Sequence, residues 1–363
     1  MNGLKCHELA VNAGAHSPAS RPLGFSIALA TCNGARYITE QLDSILAQTR
    51  QPAELVVFDD RSDDGTVEAV RAFAARAPFP VVVEVNAQRL GYRENFCRAA
   101  RRCSGDIVMF CDQDDIWLPG KIARTAAAFA DDGVLAVYHN ADLLFEDGRT
   151  GGAVFDDRLQ AWQIDPADPI PFQEVRGFTQ AYRRILHDYD RLWPGSIDQG
   201  TEPVQPEAHD LWFLFLAVSL GRVVYLPDRL AHYRQHAQNV SGPTGAAQAQ
   251  RHGELQKLIG AWRWNDAHLA RCAARRGEIL ADIAQTGHPD HRGPAAARAD
   301  RFRHLAAMLD SRATVTRGET RWSRLAALLR TCRLRGYGLS DPWALPARWL
   351  VSDLVWALRM HHG

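Results

Sequence analysis

Three carboxylates, Asp112, Asp114 and Asp115, stand within four positions directly after the apolar run Ile107 to Cys111. Five consecutive apolar residues read as a strand buried on both faces. Carboxylates this close repel one another and lose hydration as a site closes. A positive group is therefore expected among them, most simply a divalent cation (Mg2+ or Mn2+) with oxygen ligands. A second acidic pair, Asp59-Asp60, follows another apolar run, Leu55-Val56-Val57-Phe58. A solvated turn before a helix explains one such cluster comfortably and two less so. Further along, Asp210 heads the strongly apolar stretch Leu211 to Leu220. It reads as a general base or as the N-cap of that helix. His236 lies in the polar segment Tyr233 to Val240 and reads as a metal or diphosphate contact or as a packed histidine.

The elements that carry these residues alternate over the first ~115 positions, the signature of right-handed crossovers and a parallel sheet. Strands are expected at Phe25–Thr31, Leu55–Phe58 and Val81–Val85, and helices at Tyr37–Gln48, from Thr66 with a Ser/Asp cap, and at Tyr92–Cys103, which bears Asn95. Parallel strands deliver their carboxyl ends to one edge, so the two acidic clusters should meet in one crevice. After Pro119 the pattern predicts a helix to about Ala130 and a strand at Val134–Tyr138. Loops are expected over 139–175, a short β-like segment over 177–184 and a mobile acceptor-side loop over 185–206. A helix at Leu211–Leu220, a short strand at Val223–Leu226 and a linker over 241–250 follow. From about His252 the chain reads as helical and Arg-rich, with Leu255, Leu258, Ile259 and Trp262 on one face. The expected division is a loose tail over 1–23, an α/β catalytic domain over 24–245 and a basic helical extension over 246–363.

The formal net charge is zero, but it is unevenly spread. Residues 251–363 carry 19 Arg/Lys against 10 Asp/Glu, a balance of +9, and residues 1–250 carry −9. The acidic part suits metal-dependent chemistry and the basic part suits an anionic surface. Seven scattered cysteines without a CxxC pair point to a reducing compartment. No run of ~18 apolar residues occurs, so no membrane span is expected. The expected location is cytoplasmic, with the tail either docked on the inner face of a membrane or packed on the acidic part.

Several chemistries lack their signature. No G-x-G-x-x-G follows the first strand, there is no Walker loop, and no Ser stands on a G-x-S-x-G elbow. An aspartyl phosphatase would want paired aspartates after the first strand, which instead ends Thr31-Cys32-Asn33. The economical division of labour gives Asp60 a pyrimidine N–H, Asp112 a ribose diol and Asp114 a metal-bridged diphosphate.

The ordered set Ala30-Thr31-Cys32-Asn33-Gly34, Asp59-Asp60-Arg61-Ser62-Asp63-Asp64-Gly65-Thr66, Gly91-Tyr92-Arg93-Glu94-Asn95-Phe96, Asp112-Gln113-Asp114-Asp115-Ile116-Trp117-Leu118-Pro119-Gly120-Lys121 and Tyr233-Arg234-Gln235-His236 resembles family 2 glycosyltransferases, most closely the bacterial rhamnosyltransferase-like branch. The resemblance covers about residues 24–242. It implies a GT-A fold, a Rossmann-like mostly parallel sheet flanked by helices. It also implies inverting transfer from a dTDP- or UDP-linked sugar, first L-rhamnose, to a glycan or lipid-linked acceptor. Carried over by position, Asp210 resembles the catalytic base and Asp114 the metal ligand; His236 is expected as the second metal residue. Ala30, Thr31, Cys32, Asn33, Asp60, Asn95, Asp112 and Gln113 are expected on the donor. Nucleic acid is not an expected partner. Cys32 stands where the family usually stacks a Tyr, His209 replaces an acidic residue, and Gln180 takes a place where a small or apolar residue is common. The competing expectation is a non-catalytic nucleotide-sugar or glycan binder; intact Asp114 and Asp210 favour the enzyme.

Overall fold

The computed structural model describes residues 21–156, 161–164, 175–200, 204–237, 239, 266–338, 343–346 and 348–358. The first ~115 residues form β1 (Phe25–Thr31), α1 (Ile38–Leu46), β2 (Glu54–Asp59), α2 (Thr66–Ala74), β3 (Val81–Val85), α3 (Tyr92–Arg102) and β4 (Ile107–Cys111). Then come β5 (Ile116–Trp117), α4 (Lys121–Ala128), β6 (Val134–Phe145), β7 (Thr150–Ala153), β8 (Trp162–Ile164), β9 (Gln180–Arg183), α5 (His209–Leu220) and β10 (Arg222–Gln235). Among the described residues four C-terminal helices follow: α6 (Asp266–Thr286), α7 (Pro289–Arg317), α8 (Arg321–Arg333) and α9 (Arg348–Leu358).

One sheet runs in the order β3-β2-β1-β4-β9-β6-β10-β5. Its first four strands are parallel, and β9 is antiparallel to both β4 and β6. Strand order reverses between β1 and β4, so a crevice opens beyond their carboxyl ends. Register puts Thr31 opposite Asp59 and Leu29 opposite Cys111, which brings both acidic turns to that crevice.

Alternation along the strands builds two cores. Ile27, Leu29, Leu55, Val57, Ile107 and Met109 face α1, α2 and α4, while Ala28, Val56, Val108 and Phe110 face α3 and α5. Apolar on every side, α5 is accordingly enclosed, with ten of its twelve residues buried. Its outer face receives α6 and α7, where Phe215 meets Phe302 with ring centroids 5.8 Å apart. The basic extension thus shares a core with the sheet. Trp343, past the end of α8, is buried against Phe302.

A buried ion pair fixes this junction. Glu207, just before α5, accepts from Arg276 Nε and Nη2 of α6 at 2.8 and 2.6 Å. Both side chains are almost wholly enclosed. Removing one partner leaves a buried charge without compensation. Arg276→Met is expected to cost about 3–5 kcal/mol, read from the urea midpoint at constant slope.

Several expectations are corrected. The stretch 139–175, read as loops, contains the second half of β6 and strands β7 and β8 among its described residues. The short strand at Val223–Leu226 and the start of the polar segment, Tyr233–Gln235, belong to one fourteen-residue strand, β10. The expected mobile loop over 185–206 contains a 3-10 helix, Arg184–Gly195, whose Leu186, Tyr189 and Trp193 are buried. Helix α2 is not capped by a Ser or Asp side chain at its N-cap, which is Gly65 at φ +90°. The 241–250 linker, the Leu255–Trp262 face and the boundary at 245 lie outside the described residues.

Candidate active site

Beyond β1 the chain turns sharply. Ala30 and Thr31 are buried, and Thr31 Oγ1 donates to Asp59 Oδ2 at 2.7 Å. Asn33 takes φ +50°, a left-handed conformation that Asn tolerates. Its backbone N–H donates to Ser62 Oγ and its Oδ1 accepts from Asp63 N, which joins the β1 turn to the β2 turn. Gln113 crosses from the β4 turn. Its Oε1 accepts from Cys32 N at 2.9 Å and its Nε2 donates to Cys32 O at 3.1 Å. A Cβ at Gly34 would stand 2.3 Å from Gln113 Oε1, so that position must be glycine for the bridge to close.

Asp60 and Asn95 are more internal than the donor-contact expectation suggests. Asp60 Oδ1 accepts from Asn86 Nδ2 and Leu90 N, and Oδ2 accepts from Gly91 N at 2.8 Å. Of the four acceptor positions of a carboxylate, one on Oδ2 is left. Asn95 Nδ2 donates to Phe58 O and Thr31 O, and its Oδ1 accepts from Asn86. The amide thus pins the ends of β1 and β2 and makes no contact that requires a ligand.

The β4 turn holds the acidic cluster. Asp114 Oδ2 lies 2.8 Å from His236 Nε2, and the His236 ring stacks on Tyr37 at 5.1 Å. Arg234, the last residue but one of β10, donates Nε to Asp114 O at 2.8 Å and pairs with Glu40 of α1. Asp115 is fully buried. Its Oδ1 accepts from Arg234 N at 3.0 Å, and its Oδ2 meets no hydrogen-bond partner among the described residues. Burial, then the charges of Asp114 and Asp112, hold Asp115 well above the usual carboxylate range. Burial first and the negative charges of Asp114 and Asp210 next push Asp112 up to about 8. The charge of Asp210 thus reaches Asp112, although 98 positions separate them in the chain.

Two cations face this cluster, and sequence reasoning gave neither a role. Lys121 is wholly buried at the start of α4. Its Nζ donates to Phe178 O at 2.6 Å and sits 3.6 Å from the centroid of Trp117. Burial brings it down to about 7, against the pull of Cys111, Asp115 and Asp112. Arg176 lowers both Asp112 and Asp210 by its charge. A signal existed for Lys121, which closes the Asp112–Lys121 motif. Arg176 stands at the edge of the region read as loops, and no pattern marks it.

Asp210 lies in the first turn of α5, whose N-cap is Ala208, so it is not the cap. Its Oδ1 accepts from Leu211 N at 2.9 Å. Burial raises it to about 6, opposed by that bond and by Arg176 and Arg93. Gly177 abuts it: a Cβ there would stand 2.9 Å from His209 Nε2 and 3.6 Å from Asp210 Oδ2. In its swapped orientation the Gln180 amide donates to Asp210 O at 3.2 Å and accepts from Leu214 N. His209 stacks on Phe96 at 3.9 Å, and burial, followed by Arg93, drives it down to about 3. It is a neutral packing ring beside the carboxylate.

The residues present fit a divalent cation. Oxygen donors dominate, Asp112 and Asp115 are raised by burial and then by neighbouring carboxylates, and Asp115 Oδ2 is orphaned. Among the described residues no group of three or more His, Cys, Asp or Glu side chains is placed to hold a metal ion by itself.

Residues 26–165 match the family model described as glycosyl transferase family 2. The chain belongs to that family through this segment. The glycosyltransferase is 25% identical over 247 residues to the uncharacterized glycosyltransferase alr2836 of Nostoc, covering 64% of this chain and 71% of the relative. It is 32% identical over 270 residues to the poly(ribitol-phosphate) beta-N-acetylglucosaminyltransferase TarS of Staphylococcus aureus. That match covers 71% of this chain and 43% of TarS. The crystal structure of S. aureus TarS 1–349 in complex with UDP-GlcNAc superposes with a TM-score of 0.51 at 17% identity, over 86% of this chain and 92% of that one. The expected GT-A-type α/β architecture is therefore present.

Proposed function

We propose that this glycosyltransferase moves a sugar from a pyrimidine-nucleotide diphosphate donor to a glycan or lipid-linked acceptor with inversion at the anomeric carbon. The observation that carries this reading is nearness: Asp112, at the carboxyl end of β4, is raised in part by the charge of Asp210 at the head of α5, and Arg176 lowers both. Asp210 accepts the proton of the acceptor hydroxyl, whose oxygen attacks the anomeric carbon as the bond to the diphosphate oxygen breaks on the opposite face. One displacement and one base give inversion. Asp112 takes the ribose, and the last acceptor position of Asp60 takes a pyrimidine N–H. Arg176 balances the negative charge between donor and base. Asp114 and Asp112 would hold a divalent cation, with His236 orienting Asp114, and the ion would stabilise charge on the departing diphosphate. Lys121 ties the acidic turn to the Gly177–Thr179 turn that abuts Asp210.

A donor panel tests the reading. With MnCl2 present, UDP-GlcNAc and dTDP-rhamnose are expected to bind more tightly than GDP-mannose, by calorimetry or competition. Tighter GDP-mannose binding would remove the role given to Asp60. L-rhamnose is the first sugar proposed, on the family resemblance, and a UDP-linked sugar the second.

The pH profile follows from Asp210. With its carboxyl raised to about 6, the base is protonated below that pH and ionised above it. The rate at saturating substrate is expected to rise about tenfold per pH unit below 6 and level off above it. A flat profile between pH 5 and ~7 would assign the proton to another group.

A further inference from the structure

The last two helices turn apolar faces outward. On its inner side α9 is held by Asp353, which accepts from Arg312 Nε at 2.8 Å and from the Tyr337 hydroxyl at 2.5 Å, and by the buried Ala357. Val351, Leu354, Val355 and Leu358 follow at i, i+3, i+4 and i+7 on the opposite face, and all are exposed, Val351 by 67%. The inner side of α8 consists of Arg324, Ala327, Leu328 and Thr331. Trp322, Ala326, Leu329 and Arg333 line its outer side, with Trp322 81% and Leu329 60% exposed. Leu328 and Ala357 share one small core, so the two helices sit side by side.

Surface helices ordinarily meet water with polar side chains, and large apolar side chains grouped on exposed helix faces mark an interaction site. The charge around this one selects the partner. Four arginines and no carboxylate lie on α8, and Arg321, Arg330 and Arg333 are exposed. Arg335 follows, also exposed. The carboxylate of α9, Asp353, is buried in its ion pair. A second copy would fit badly, because two-fold self-association sets the same arginines against each other. No helix among the described residues is long and apolar enough to cross a membrane. Two neighbouring helices with exposed apolar and aromatic side chains interleaved with exposed arginines match the headgroup zone of an anionic bilayer.

We propose that the outer face of α8 and α9 docks this protein on an anionic phospholipid surface. Trp322, Leu329, Val351 and Val355 enter the headgroup boundary, and Arg321, Arg330 and Arg333 meet the lipid phosphates. The site is remote in sequence from the acidic crevice and independent of which sugar is moved.

The test is co-sedimentation of the full chain with phosphatidylcholine vesicles, with and without phosphatidylglycerol. Binding is expected to the anionic vesicles alone and to weaken as salt rises. Arg330→Gln with Arg333→Gln should reduce it roughly thirtyfold. Trp322→Ser with Leu329→Ser should reduce it on the order of tenfold or more, and Val351→Ser with Val355→Ser should act in the same direction. These side chains are exposed, so the fold should survive, and circular dichroism melts check it. No binding to anionic vesicles, equal binding to neutral ones, or variants that bind like the parent would each overturn the proposal. So would a dimer in sedimentation velocity that the Trp322→Ser, Leu329→Ser variant converts to monomer, since the face would then be covered by a second copy.

Discussion

Asp210→Asn is expected to keep donor binding and to lose transfer by about 10²–10⁴-fold. The amide preserves the size of the side chain and the bond from Leu211 N at 2.9 Å, so α5 should start as before. What it loses is the ability to take a proton. No neighbour can substitute. His209, next in the chain, is stacked on Phe96 and held near 3, so its ring is already neutral and enclosed. Asp112 is raised to about 8 and is the residue proposed for the donor ribose. Stability should not fall, because burial disfavours the charged form that the substitution removes. The measurements are nucleotide release with acceptor present, calorimetric binding of UDP, and the anomeric configuration of the parent enzyme's product by NMR. Near-parental turnover of the variant, or a product with retained configuration, would end the single-base mechanism.

The parts legible in the sequence are those where one force dominates. The runs Phe25–Thr31 and Ile107–Cys111 are continuously apolar because the strands are covered on both faces, and each is buried along its whole length. Their acidic ends could be placed together because parallel strands share one edge. Strands whose burial is polar were hidden. The second half of β6 carries His139, Asn140 and Asp142, which break the apolar pattern. Asn140 nevertheless stays inside the sheet by accepting from Ala141 N and Phe155 N and donating to Phe155 O. In β10, Pro227 and Asp228 read as an end of strand, but they fall where the register shifts between Leu226 and Arg229, a place that accommodates proline. Lys121 escaped for a related reason. A lysine is expected on the surface, yet this one is buried, with Phe178 O and the Trp117 ring in place of water around its ammonium. Asp60 and Asn95 were legible as important, but only coordinates show how much of their hydrogen bonding is spent on the protein itself.

Asp114→Asn should lower manganese-stimulated turnover on the order of 10²-fold or more, with no recovery at higher MnCl2. The size follows from the several kcal/mol by which a cation stabilises a charged leaving group. Asp114 is the carboxylate of the cluster with an orienting partner, His236 Nε2 at 2.8 Å, and with its own carbonyl fixed by Arg234. Asparagine keeps the shape and can still meet His236 through its oxygen, so the turn should hold while the anionic donor is lost. His236→Ala separates the two roles. It leaves the carboxylate in place but frees its orientation, so it should weaken metal affinity by about 10–100-fold and be rescued by excess MnCl2. The stacking of His236 on Tyr37 is lost as well, and a melt in the absence of metal reports that contribution. Parental activity of Asp114→Asn in EDTA would show that transfer needs no cation at this position. Identical MnCl2 dependence of the two variants would remove the distinction between the carboxylate that binds and the histidine that orients it.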